Sequence, residues 1–141
     1  MCDDLAQQIV ADGEGATVLA EIEVSGAVDG AQARAIASRI ATSPLVKTAL
    51  FGHDANWGRV LAAAGSAPYD GGFASVDAAR VTLAWNGTTV LERGAPLGVE
   101  PDVGNGVCRI ALDLGLGAGA ASYLTTDLSY DYVRINADYR S

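Results

Sequence analysis

The chain has 141 residues, a length that suits one domain with a buried core. Half of the residues are hydrophobic and 18% are charged, which is too apolar for a disordered tail and too interrupted by glycine and polar residues for a membrane span. A net charge of -8 repels phosphate backbones, so we expect neither nucleic acid nor an anionic membrane as a partner. The acidic start leads into no secretory signal, which predicts a cytoplasmic protein.

The first two predicted elements are a short helix and a strand. The helix follows acidic capping residues and is stopped by Gly13, and from Thr17 the apolar period changes to two, which indicates a strand with one buried face. The apolar positions are Leu5, Ala6, Ile9 and Val10 in the helix, and Val18, Ala20, Ile22 and Val24 in the strand.

Two further helices are predicted in the next part of the chain. Asp29 and Gln32 stand three residues apart ahead of an apolar periodic run, which predicts a capped helix to about Ser43, where Pro44 ends it. The polar turn after Phe51 can cap another helix, over about residues 57–64.

The second half of the chain predicts strands. Residues 80–85 alternate, Asn86-Gly87 is a strong signal for a two-residue hairpin, and residues 88–92 form the returning strand, with Leu83 opposite Val90. Two more strands are expected at residues 107–113 and from residue 121 to about 129, the first with one apolar face formed by Cys108, Ile110 and Leu112.

The sequence predicts about three helices and four or five strands in all, and these do not alternate regularly as in a series of βαβ units. We therefore predict an α+β fold with a mixed sheet, formed by residues 1–141 as a single unit.

Metal-binding residues are scarce in this sequence. Cys2 and Cys108 form no C-x-x-C pair, and His53 is the only histidine, so no ligand set for a structural zinc is present. A disulfide between the two cysteines is an alternative, but we expect free thiols. His53 titrates near neutral pH and is a candidate base, yet no nucleophile neighbours it in sequence, which favours an ordinary loop residue.

Two glycine-rich segments are candidates for ligand binding. Residues 115–119 have the spacing G-x-G-x-G and precede a strand, whereas a dinucleotide site needs G-x-G-x-x-G opening a helix, so a turn is predicted. In residues 12–15 two glycines flank Glu14, which lets a ligand approach the backbone closely, although spacing alone favours an acidic turn.

Two other segments combine aromatic and polar residues. In residues 54–59 we expect Asn56 to cap a helix, Trp57 to fill the core and Arg59 to pair with a nearby acid. The last twelve residues carry three tyrosines and four charged side chains, which indicates a docked tail with either a structural or a ligand-binding role.

Three blocks of the sequence resemble the ornithine acetyltransferase family, also called glutamate N-acetyltransferase, in the family's order. They are DLAQQIVADGEGAT at residues 4–17, SPLVKTALFG at 43–52 with NWGR at 56–59, and DLSYDYVRINADY at 127–139. The resemblance covers nearly the whole chain and matches the C-terminal part of the family's β chain.

This resemblance implies acetyl transfer from N-acetylornithine to glutamate in arginine biosynthesis, by a threonine that a precursor exposes by cleaving itself. It places substrate contacts at Glu14, Asn136 and Ser141 and requires no metal or cofactor, with acetyl-CoA as a possible alternative donor. The carboxylate of Glu14 suits an ammonium group of ornithine, and Asn136 can both donate and accept hydrogen bonds. The implied partners are the N-terminal portion of the enzyme, which comprises the α chain and the start of the β chain, and other subunits of an oligomer.

The chain departs from the family at several points. Val18 stands where the family usually has Lys, His53 where it has Glu and Ala55 where it has Pro, which bears on substrate specificity. The 141 residues contain no Gly-Thr-Met-Leu type of cleavage site, so no catalytic residue is assigned to this chain.

Two hypotheses about function follow. The chain is either one half-site of an acetyltransferase that needs its N-terminal portion, or a noncatalytic module derived from the family that binds amino acids or another protein. The retention of Glu14, Asn136 and a Ser141 terminus favours the enzyme.

Overall fold

The structure is a computed structural model that describes residues 18–74, 76–102 and 106–127. Within these ranges the chain forms three helices and eight strands. The helices are α1 (Gly30–Thr42), α2 (Pro44–Phe51) and α3 (Trp57–Gly65). The strands are β1 (Leu19–Ala27), β2 (Pro68–Tyr69), β3 (Gly72–Phe73), β4 (Thr82–Trp85), β5 (Thr88–Glu92), β6 (Ala95–Pro96), β7 (Val107–Asp113) and β8 (Gly119–Thr126).

Six of the strands form one mixed sheet in the order β6-β5-β4-β7-β1-β8, and β2 pairs with β3 in a separate two-stranded ribbon. β1 lies parallel to β7 and antiparallel to β8, and the remaining neighbours in the sheet are antiparallel. The helices and the mixed sheet confirm the predicted α+β class.

The core lies between the sheet and the helices. α1 packs against β1 and β8, and α2 and α3 pack against α1. Alternate side chains of β1 and β7 are buried in this core, as their period of two predicts, and each buried Val, Leu or Ile side chain contributes about 1.5–3 kcal/mol. They are Ala20, Ile22, Val24, Cys108, Ile110 and Leu112.

The N-terminus of α1 is capped as predicted. Asp29 Oδ1 accepts the Gln32 N–H at 2.7 Å, and Gln32 Oε1 accepts the Val28 N–H at 2.8 Å. The Tyr69 hydroxyl donates to Asp29 Oδ2 at 2.6 Å. Because the Tyr69 bond and then the Gln32 bond stabilise the ionised carboxylate, they lower the pKa of Asp29. The cap therefore also joins β2 to the start of α1.

α2 is a helix that the sequence pattern does not predict. Pro44 ends α1 as expected, but it also occupies the first turn of α2, where its fixed φ and missing N–H are favourable. Ser43 serves both helices, because its N–H donates to the Ile40 carbonyl at 3.2 Å and its hydroxyl accepts the Val46 N–H at 3.4 Å. α1 and α2 are thus joined through one residue.

The hairpin between β4 and β5 forms at the predicted Asn86-Gly87 turn, where both residues have positive φ, 51° and 84°. Its predicted register is wrong, because Leu83 pairs with Leu91 rather than with Val90. The register shifts between Leu83 and Ala84, which places one extra residue in β5.

The remaining predictions divide into three groups. α3 and β7 form where the sequence predicts them. β8 begins at Gly119, two residues earlier than expected. The predicted first helix and the predicted strand end at residue 129 lie outside the described residues. In the part of the chain that is described, no helix has the length and apolar character needed to cross a bilayer.

Candidate substrate-binding site

The three residues expected at the substrate, Glu14, Asn136 and Ser141, lie outside the described residues. These residues belong to two segments, residues 1–17 and 128–141. The structure describes the residues that adjoin these segments. The first segment leads into Val18, and the second follows Asp127.

Val18 and Asp127 are bonded to each other twice. The Val18 N–H donates to Asp127 Oδ1 at 3.0 Å, and the Asp127 N–H donates to the Val18 carbonyl oxygen at 3.1 Å. Asp127 is completely buried and Val18 is 5% exposed. These bonds continue the antiparallel pairing of β1 with β8, in which Leu19 lies opposite Thr126. The first and the last described residues are therefore paired at one end of β1, and we call this pair the Val18–Asp127 junction.

Covalent geometry limits how far the expected contacts can lie from this junction. Glu14 precedes Val18 by four residues, so their Cα atoms are at most about 14 Å apart. Asn136 follows Asp127 by nine residues, a reach of at most about 32 Å. The junction thus permits Glu14 and Asn136 to meet in one pocket.

Lys47 on α2 is a charged residue close to the junction that the sequence reasoning missed. It is half-buried, and this burial lowers the pKa of its ammonium group, whereas the negative charge of Asp127 opposes the shift. The available signal was a single lysine within the apolar run of residues 44–51. Opposite charges therefore lie on α2 and at the end of β8.

The NWGR segment has a structural role in holding α2. Asn56 Oδ1 accepts the Arg59 N–H at 3.1 Å, which confirms the predicted cap, and Trp57 packs partly buried against the core. The predicted pairing of Arg59 with an acid is wrong for the described residues, because its Nη1 donates to the Leu45 carbonyl oxygen at 3.0 Å and lies 3.4 Å from the Thr48 hydroxyl. Arg59 thus ties α3 to α2.

The glycines at residues 115–119 form a turn, as predicted, and not the start of a helix. The N–H groups of Leu116 and Gly117 donate to the Gly26 carbonyl oxygen at 2.7 and 2.9 Å. A Cβ at Gly119 would overlap the carbonyl oxygen of Asp29. The glycines are needed for this close approach of the backbone, and no ligand is required to explain them.

His53 follows α2 in an exposed turn, where its backbone has φ of 54°. This position agrees with the interpretation of His53 as a loop residue. Among the described residues, no three His, Cys, Asp or Glu side chains form a group that could hold a metal ion.

A cluster of charges lies on the exposed side of the sheet. Arg109 Nη2 is 3.0 Å from Glu21 Oε1, and Arg109 Nε is 3.7 Å from Glu23 Oε1. The pKa of Glu21 is raised by its hydrogen bond with Glu23 and by burial, and Arg109 opposes this. The Arg109 side chain is 62% exposed, so the cluster is a solvated ion pair that contributes little to stability.

A pocket of about 330 Å³ lies where the three helices meet. Two of its lining residues, Arg39 and Arg59, already have structural bonds. Arg39 Nε donates to Ser66 Oγ at 2.9 Å, at the C-terminal end of α3, where a cation is favourable. We assign this pocket no part in the chemistry.

Cys108 is a free, buried cysteine of β7. Burial raises the pKa of its thiol to about 11. In a Cys2→Ser variant at mildly alkaline pH, we expect the folded chain to react with a thiol reagent at least about a hundredfold more slowly than the urea-unfolded chain. Absorbance of the released thiolate measures both rates. Similar rates would contradict the burial of this face of β7.

The chain was compared with families and with individual proteins. A family model described as the ArgJ family matches residues 1–141. The arginine biosynthesis bifunctional protein ArgJ of Syntrophotalea carbinolica is 46% identical over 144 residues, which cover 98% of this chain and 35% of that protein. The protein of the same name from Mycobacterium tuberculosis is 45% identical and covers 100% of this chain and 34% of its own length. The chain thus spans about a third of the length of these curated relatives.

The fold agrees with a solved structure of the same kind. The crystal structure of arginine biosynthesis bifunctional protein ArgJ from Bacillus halodurans matches with a TM-score of 0.84 and 39% identity, over 98% of this chain and 65% of that chain. The family model matches the full sequence and the solved structure matches 98% of the chain, in agreement with the family that the three sequence blocks predict, and the chain belongs to the ArgJ family.

Proposed function

We propose that this chain forms one wall of the substrate pocket of an enzyme that transfers an acetyl group from N-acetylornithine to glutamate. The names of its relatives support a place in arginine biosynthesis. Because the chain spans about a third of their length, the rest of such an enzyme is its expected partner. The proposed pocket therefore lies between two portions of the enzyme.

The single observation that carries this proposal is the Val18–Asp127 junction. The family resemblance implies substrate contacts on two segments that are far apart in sequence. The junction bonds Val18, which follows the first segment, to Asp127, which precedes the second. In the proposed pocket, the Glu14 carboxylate accepts hydrogen bonds from the side-chain ammonium of ornithine. The Asn136 amide and the polar groups of Ser141 form the opposite side.

The proposed transfer has two steps. A threonine hydroxyl of the N-terminal portion attacks the acetyl carbonyl carbon of N-acetylornithine, the bond to nitrogen breaks, and ornithine leaves with the proton. The amine of glutamate then attacks the carbonyl carbon of the resulting ester, the bond to the threonine oxygen breaks, and this oxygen takes the proton that the amine loses, which gives N-acetylglutamate and the free threonine. This chain contributes binding and orientation, because its sequence contains no Gly-Thr-Met-Leu type of site.

The purified chain is expected to give no acetyl transfer, and addition of the N-terminal portion of the enzyme is expected to produce it. The reason is that the nucleophile and the donors that stabilise the oxyanion belong to that portion. Formation of N-acetylglutamate from labelled N-acetylornithine measures the outcome. An N-terminal portion with alanine in place of its cleavage-site threonine is the matched control. Turnover by the chain alone, or none by the complete assembly, would contradict the proposal.

The second candidate is a noncatalytic module that binds an amino acid. It rests on the same expected contacts at Glu14, Asn136 and Ser141 and requires no nucleophile. This candidate predicts that the chain alone binds ornithine measurably in calorimetry and that the N-terminal portion adds no activity. The assembly experiment therefore separates the two functions.

A further inference from the structure

Asp127 is the fully buried carboxylate at the end of β8. Aspartate is rarely buried completely, because its charge loses hydration unless hydrogen bonds replace the water. One of these bonds is unusual for an antiparallel pair, since the Val18 N–H is accepted by the side chain of Asp127 and not by a backbone carbonyl. The carboxylate thus accepts the N–H of the residue that precedes β1, and it belongs to the residue that follows β8.

The charge of the same carboxylate also affects a residue of the helical layer. Lys47 lies half-buried on α2, and the charge of Asp127 acts on it. α2 is itself fixed at this place by the Ser43 hydroxyl at its start and by Arg59 from α3. Asp127 therefore joins the start of β1 to the end of β8, and its charge also acts on the helical layer.

We propose that Asp127 is a positioning residue for acetyl transfer, which holds the segment containing Glu14 and the segment containing Asn136 at a common origin. Asp127 touches no substrate in this proposal, and its effect passes through the Val18–Asp127 junction. The proposal has a kinetic part, which is the effect of Asp127 on acetyl transfer, and a geometric part, which is its effect on the positions of the two segments. The kinetic part rests on the proposed function, whereas the geometric part does not. In this proposal only Glu14, Asn136 and Ser141 of this chain contact the substrate.

The geometric part is tested by measuring a distance within the chain itself. Spin labels are attached to Glu14→Cys and Asn136→Cys in a Cys2→Ser background, where the buried Cys108 remains unlabelled. We expect a narrow distribution of distances in the parent chain and a broad one after Asp127→Ala. Asp127→Asn keeps the Oδ1 acceptor and is expected to restore much of the narrow distribution.

The matched control lies two residues before Asp127, on β8. The Thr125 hydroxyl is also buried and donates to the Ala41 carbonyl oxygen at 2.6 Å, but it does not contact β1 through that bond. Thr125→Val is expected to lower the unfolding temperature about as much as Asp127→Ala and to leave the distances narrow. If Asp127→Ala does not fold, Asp127→Glu keeps the charge, moves the acceptor by one methylene group and is expected to broaden the distances.

The kinetic part is measured on the assembled enzyme. Asp127→Ala is expected to raise the KM for N-acetylornithine by about tenfold or more with a smaller change in kcat, because it disturbs the pocket and not the nucleophile. Thr125→Val is expected to leave KM unchanged. Equal KM in both variants, or a narrow distance distribution in Asp127→Ala or Asp127→Glu, would overturn the proposal. An assembly without any transfer would contradict the proposed function instead, and the distances would still decide the role of Asp127.

Discussion

Deletion of residues 136–141 is expected to abolish substrate binding by the assembled enzyme and to leave the chain folded. The deletion removes Asn136 and Ser141, two of the three expected contacts, whereas the buried core described here lies within residues 18–127. Tyr130 and Tyr132 remain in the shortened chain, and each can contribute about 1.5–3 kcal/mol by burying its ring. Calorimetric binding of N-acetylornithine and thermal unfolding measure the two effects separately.

A variant of the same tail with its full length provides the control. Asp138→Asn changes the charge of the tail at a position with no expected substrate contact, and it should bind both substrates normally. Normal turnover of both substrates by the shortened enzyme would contradict the proposed pocket and would assign the tail a structural role only.

Glu14→Gln is expected to have the second largest effect. It removes the negative charge that is proposed to bind the ornithine ammonium, and a charge-assisted hydrogen bond contributes about 1.5–3 kcal/mol. The KM for N-acetylornithine should therefore rise roughly 10- to 150-fold, because 1.4 kcal/mol corresponds to a factor of ten. The measurement is steady-state kinetics of the assembled enzyme with each substrate varied in turn.

Glu100→Gln is the matched control for that substitution. It makes the same chemical change at an exposed glutamate in the described part of the chain, which has no expected contact with substrate. Its kinetics should equal those of the parent enzyme. If Glu14→Gln also left the kinetics with both substrates unchanged, Glu14 would have no role in binding ornithine.

Local sequence patterns were sufficient to predict the helices and strands that have a capping residue, a turn or an alternating apolar pattern within their own segment. The Asp29 cap sets the start of α1, the Asn86-Gly87 turn sets the hairpin, and the alternating residues of β7 set its buried face. In each case the deciding residues lie within a few positions of each other. Such features are readable without knowledge of the rest of the fold.

Features that depend on distant residues were missed or predicted wrongly. α2 was missed because Pro44 fits the end of one helix and the start of the next equally well. The partner of Leu83 depends on a bulge in β5. Among the described residues, Arg59 donates to a backbone carbonyl of α2 and not to the expected acid. The bond between Val18 and Asp127 joins residues 109 positions apart, which no local pattern reveals.

The candidate site could be predicted from the sequence only in part. The resemblance identifies Glu14, Asn136 and Ser141 by their motifs, and their roles stay predictions because they lie outside the described residues. Lys47 and Asp127 are ordinary charged residues in the sequence. Their importance follows only from burial and from the pairing of β1 with β8.

The strand order also has a consequence for how the chain folds. β1 is the first described strand, yet its two neighbours in the sheet are β7 and β8, the last two. Leu19 pairs with Val107 and Thr126, so roughly ninety residues of chain must close into a loop before β1 gains its first partner in the sheet. Such nonlocal pairing slows folding. During synthesis on the ribosome, β1 therefore has neither of these neighbours to pair with until β7, which ends at Asp113, has emerged.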